Sequence, residues 1–92
     1  MKILIRCLTN MGDLCLEEVE ASEVKGFTDL GIHHERDRWI VTDIPTGLLV
    51  VSGHTKKEAL ENLYSKRHAL ENARCTELYK KRLKEFEEMK KL

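Results

Sequence analysis

The chain has 92 residues, with sixteen Lys/Arg balanced by sixteen Asp/Glu and a pI near neutrality, so it reads as one domain with room for a modest core. That balance removes any general argument for nucleic acid as the partner. Met1-Lys2 runs into too short an apolar stretch for a secretory leader and no segment reaches membrane-span length, so a cytoplasmic, non-membrane protein is expected.

Residues 2–8 are rich in branched side chains and read as a strand. Asn10-Met11-Gly12-Asp13 supplies a turn, and residues 14–20 resume an apolar run that decays into Glu17-Glu18-Val19-Glu20. A hairpin of 2–8 with 14–20 is the natural reading, with a helix over 14–24 as the alternative. Phe27 to His34 forms a further strand interrupted by Gly31, and Glu35-Arg36-Asp37-Arg38 is a charged tip. Trp39 to Ile44 pairs back across it, placing Trp39, Val41 and Asp43 on one face and Ile40, Thr42 and Ile44 on the other. Pro45-Thr46-Gly47 ends that strand. The continuous run Leu48-Leu49-Val50-Val51-Ser52 suits a central strand buried on both faces, or one at a subunit interface.

At Gly53-His54-Thr55 the pattern changes to helix. Thr55 is an N-cap, Glu58 completes a capping box, and Ala59, Leu60 and Leu63 follow at helical spacing. Gly53 is read as the residue that lets the backbone turn. Beyond Thr55 there is no Pro and no Gly. Either one long helix runs to the C-terminus, or two meet near Cys75-Thr76 with Thr76 as the second cap. The charged segment after residue 76 either packs on the domain or projects from it. The expected fold is therefore α+β. A mostly antiparallel sheet of four or five strands fills the β-rich region 1–52, and a long C-terminal helix from the region 55–92 packs on it.

Candidate chemistry is sparse. Cys7, Cys15 and Cys75 are odd in number and suit a reduced compartment, with Cys7 and Cys15 packing as small apolar residues. His33, His34, His54 and His68 have no metal-ligand spacing relative to them, so no metal and no cofactor is expected. Asp29, Asp37 and Asp43 lie in or near one hairpin. Two-metal nuclease chemistry would need them to converge, whereas solvated strand edges account for them more simply. No catalytic residue and no enzymatic activity is expected. The charges are unevenly placed: residues 1–55 carry five basic and nine acidic side chains, residues 56–92 eleven and seven. Glu17, Glu18, Glu20 and Glu23 are thus candidates for meeting a basic partner. Lys80, Lys81, Arg82 and Lys84 are candidates on the C-terminal helix, where neighbouring glutamates also suit i to i+4 pairing. Nucleic-acid binding is only weakly supported.

Trp39-Ile40-Val41-Thr42-Asp43-Ile44-Pro45, Gly47, and Gly53-His54-Thr55-Lys56-Lys57-Glu58-Ala59 with Asn62 together resemble the HicB-like antitoxin domain, over about a quarter of the chain. The Pro-Gly that precedes the last strand in that family is absent. The resemblance implies a βββα core without catalysis that binds and masks a small toxin ribonuclease. It also suits a protein of phage or mobile-element origin. The expected function is a non-enzymatic protein that occludes a protein partner, a toxin or a host nuclease. The alternative is an accessory protein that inhibits a host nucleic-acid enzyme through its C-terminal helix. A homodimer through residues 48–52 or 78–92 is a further expectation.

Overall fold

The computed structural model describes residues 1–8 and 11–91. It is α+β, and the described residues form six strands in two antiparallel sheets and three helices, the last packed on the sheet. Strands β1 (Lys2–Leu8) and β2 (Leu14–Glu20) form the expected hairpin, in register from Lys2 opposite Glu20 to Leu8 opposite Leu14. The helix alternative for 14–24 is not adopted, because β2 and the short strand β3 (Ser22–Val24) occupy that stretch. Of the turn residues, Asn10 lies outside the described residues, and Gly12 takes φ +84°.

The second sheet has the order β3-β4-β5-β6, with β4 (Phe27–Glu35), β5 (Arg38–Asp43) and β6 (Leu48–Gly53) as a meander. Gly31 does not interrupt β4. A Cβ there would lie 3.1 Å from Ile3 Cδ1 and 3.4 Å from Ala21 Cβ, so its missing side chain lets the hairpin approach. The faces divide as the alternation requires. One buries Leu30, Ile32, Val41 and Val51 under Ala59 and Leu63 of helix α1 (Lys56–Ser65), with Trp39 packed alongside. The other faces the hairpin, where Ile3, Ile5 and Ala21 form a second cluster with Val19 and Ile44.

Strand β6 is not central. It ends the sheet order, and Leu49 is exposed. Its apolar composition reflects one face under α1 and a terminus beside β1, where the Arg6 amide donates to the Gly47 carbonyl. Thr55 caps α1 as expected, its hydroxyl accepting from the Glu58 amide at 3.0 Å. The reciprocal arm from the Glu58 carboxylate is not formed among the described residues. Gly53 has ordinary extended backbone and is needed for space instead: a Cβ would sit 2.6 Å from the Ala59 nitrogen. The helical region is three helices rather than one or two. It breaks at Lys66 before α2 (Arg67–Arg74), and again at Cys75-Thr76 before α3 (Glu77–Met89), where Thr76 caps as expected. α3 does not project, because Phe86 is buried against Gly47 and Tyr79 bonds to Asp43.

Candidate functional site: a tethered C-terminal helix and an acidic edge strand

The turn that follows β5 gathers several long-range polar contacts. Asp43, with its side chain 4% exposed, accepts from the Thr46 amide at 3.2 Å and the Thr46 hydroxyl at 2.6 Å. It also accepts from the Tyr79 hydroxyl at 2.9 Å and from Arg74 Nη2. The other arm of Arg74 meets Asp29 at 2.6 Å. One guanidinium at the end of α2 thus joins β4 and β5, a fork that suits paired carboxylate contacts. Burial pulls the Arg74 pKa down, but its hydrogen bonds to Asp43 and Asp29 prevail and hold it above its ordinary value. Burial and the bond to Asp43 push Tyr79 up to about 12.

Arg6 does the same on the hairpin side. Its Nε donates to the Thr46 carbonyl at 2.7 Å and its Nη2 to the Arg82 carbonyl at 2.7 Å. Its Nη1 lies 3.4 Å from Glu85, and its guanidinium stacks 5.4 Å above the Phe86 ring. Glu85 is lowered below its usual carboxylate value, first by hydrogen bonding from Arg82 and with a further contribution from Arg6. Gly47 completes the seat with φ +70° and a Phe86 ring where its Cβ would be. Sheet, hairpin, α2 and α3 are therefore all fastened at residues 43–47.

The sequence-predicted carboxylates Asp29 and Asp43 do come together, but on Arg74. Asp37 lies in the β4–β5 turn at the opposite end of the pairing. Among the described residues, no group of three or more His, Cys, Asp or Glu is placed to hold a metal. His33 is buried with no hydrogen bond to either ring nitrogen among the described residues, its Nε2 3.5 Å from the Glu35 carboxylate, while His34 is exposed and stacks on Trp39 with ring centroids 4.8 Å apart.

The four acidic candidates divide between two strands. Glu17, Glu18 and Glu20 are exposed on β2, which among the described residues pairs only with β1 and leaves its outer edge open; Glu23 is exposed on β3. Glu18 meets Lys2 at 3.5 Å and Glu20 meets the terminal ammonium at 2.9 Å, while Glu17 and Glu23 have no ion-pair partner among the described residues. On α3, Lys80 pairs with Glu77 at 3.3 Å and Arg82 with Glu85 at 2.7 Å. Lys81 and Lys84 are exposed and have no ion-pair partner among the described residues. The acidic and basic candidates therefore lie on separate elements and form no common cluster. Between them Leu14 and Leu49, each more than half exposed, line an open groove with Leu48, Gly47, Arg6 and Arg82. Sequence reasoning missed Arg6, Arg74 and Tyr79, whose partners lie far away in the chain.

No family model, no curated protein and no solved structure matches this chain. Among the described residues, no helix is long and apolar enough to cross a membrane.

Proposed function

We propose that this protein is a non-enzymatic binding module that acts by occluding a protein partner, in the manner of a HicB-like antitoxin. The observation that carries the reading is β2, a seven-residue edge strand with its outer side unpaired, exposed glutamates along it and an exposed Leu14 at its start. An open edge offers main-chain donors and acceptors for strand addition, and side-chain charge selects what adds. Here the selected partner is a basic segment, for which Glu17 and Glu23 supply charge that meets no cation among the described residues. The β4–β5–β6–α1 order also supports the reading, since it is the βββα order that the resemblance of residues 39–63 implies.

The test is affinity capture from the native host with the full chain, beside a variant carrying E17K, E18K and E23K. A stoichiometric protein partner held by the parent, released by salt and lost from the variant is the expected result. Equal recovery by both, or no stoichiometric partner, rejects the reading. Exposed Lys81 and Lys84 favour one second reading, inhibition of a nucleic-acid enzyme through α3. In that case K81E/K84E loses the partner and the glutamate variant keeps it. Truncating α3 does not separate the two readings, because it removes Phe86 from the core.

A further inference from the structure

The hairpin carries two facing thiols, one on β1 and one on β2. Cys7 and Cys15 are directly opposite in the β1–β2 register. Opposed residues of antiparallel strands have Cα atoms about 4.5–5.5 Å apart, within the roughly 4.4–6.8 Å that a disulfide spans. Both side chains turn to the same side of the hairpin, and their sulfurs lie 2.6 Å apart. Both residues are only partly buried, so a small oxidant has access. Cys7 also borders a cavity of about 200 Å³ with Ile5, His33 and Ile40. The exposed Cys75 lies in the link between α2 and α3 and faces no second thiol among the described residues.

We infer that Cys7 and Cys15 form a redox modification site, closed by a low-molecular-weight disulfide into an intramolecular cross-strand disulfide and reopened by a dithiol. Cys7 holds its proton, its pKa pushed up to about 11 by the hydrogen bond with Cys15 and then by burial. Attack by either thiol ends in the same bond, here begun by Cys15. Its sulfur bonds to one sulfur of the oxidant, the oxidant's S–S bond breaks, and one thiolate leaves with the proton from Cys15. Cys7 then attacks the Cys15 sulfur of the mixed disulfide. The new Cys7–Cys15 bond forms, and the second thiolate leaves with the proton from Cys7. Each cysteine sulfur has given up one electron and the oxidant has gained two, becoming two thiols. Closure ties β2 to β1 and restricts the unfolded chain.

Oxidised glutathione is the probe, applied to the purified reduced full chain in its C75S form so that only the pair responds. The expected result is a thiol titre falling from two to none, a mass loss of two hydrogens with no glutathione added, and a linked peptide containing Cys7 and Cys15. The melting temperature rises and returns on reduction. The variants C7S/C75S and C15S/C75S each retain one glutathione, because no second sulfur can displace it. Glutathione retained on the C75S protein, disulfide-linked dimers in place of the internal bond, or thiols that stay unreacted while Cys75 of the parent reacts would overturn the assignment.

Discussion

Replacing Arg74 with leucine isolates the contact on which the end of the sheet depends. The leucine keeps much of the apolar stem but leaves Asp43 buried without its cation, while Asp29 is half-exposed and better solvated. Breaking one side of a buried pair costs about 3–5 kcal/mol. Arg74 retains some exposure and Asp43 keeps three donors from Thr46 and Tyr79, so the low end, about 3 kcal/mol, is expected for R74L. D43N leaves Arg74 with Asp29 and solvent, and should cost about 2 kcal/mol. Because the two side chains act on each other, R74L/D43N should cost about 3 kcal/mol and not the sum, a coupling of about 2 kcal/mol. For a domain of this size, R74L then lowers the melting temperature by about 12–24 °C. Urea unfolding followed by circular dichroism, with unchanged m-values, provides the measurement. An R74L protein within about 0.5 kcal/mol of the parent, or a double variant whose cost equals the sum, would refute the reasoning.

Two further outcomes follow from the same region. Gly47 and Gly12 both have positive φ, but a Cβ on Gly47 meets the Phe86 ring whereas one on Gly12 meets open space; by the same unfolding assay, G47A should therefore cost at least about 1 kcal/mol more than G12A. Tyr79 binds its proton more tightly folded, at about 12, than its ordinary 10.0. The folded state thus holds more protons between those values, and its stability is fully present below pH 10 and lost as pH rises through about 12. Y79F should flatten that alkaline loss in a pH series of melting temperatures, and an unchanged slope would mean that Tyr79 does not contribute.

What could be read from the sequence was local. Thr55 and Thr76 announce their helices because a cap acts within three residues. Trp39 to Ile44 declares its two faces because strand alternation is a property of the strand alone. The helix break at Lys66 carries no Gly or Pro to mark it. The apolar run of β6 reads as central, since composition reports burial but not which edge lacks a neighbour. Arg74 and Asp43 are 31 residues apart, and Arg6 and Glu85 are 79 apart, so only the tertiary fold brings them together. One signal was legible and unused. Pairing 2–8 with 14–20 end to end places Cys7 opposite Cys15.

The two arginines separate residues that would touch a partner from residues that place them. Arg6 and Arg74 both reach residues 43–47, one from the hairpin and one from α2, and Phe86 and Tyr79 of α3 meet the same residues. Loosening that turn would disturb the orientation of both candidate surfaces, since β1 is bound to Gly47 and α3 to Asp43. Charge changes at Glu17 or Lys81 leave the turn untouched and act on encounter, so their effects on binding should shrink as salt rises. An effect of D43N on binding should instead follow stability and persist at high salt. A partner lost through Glu17 or Lys81 therefore identifies a contact, and one lost through Asp43 identifies only the frame that presents it.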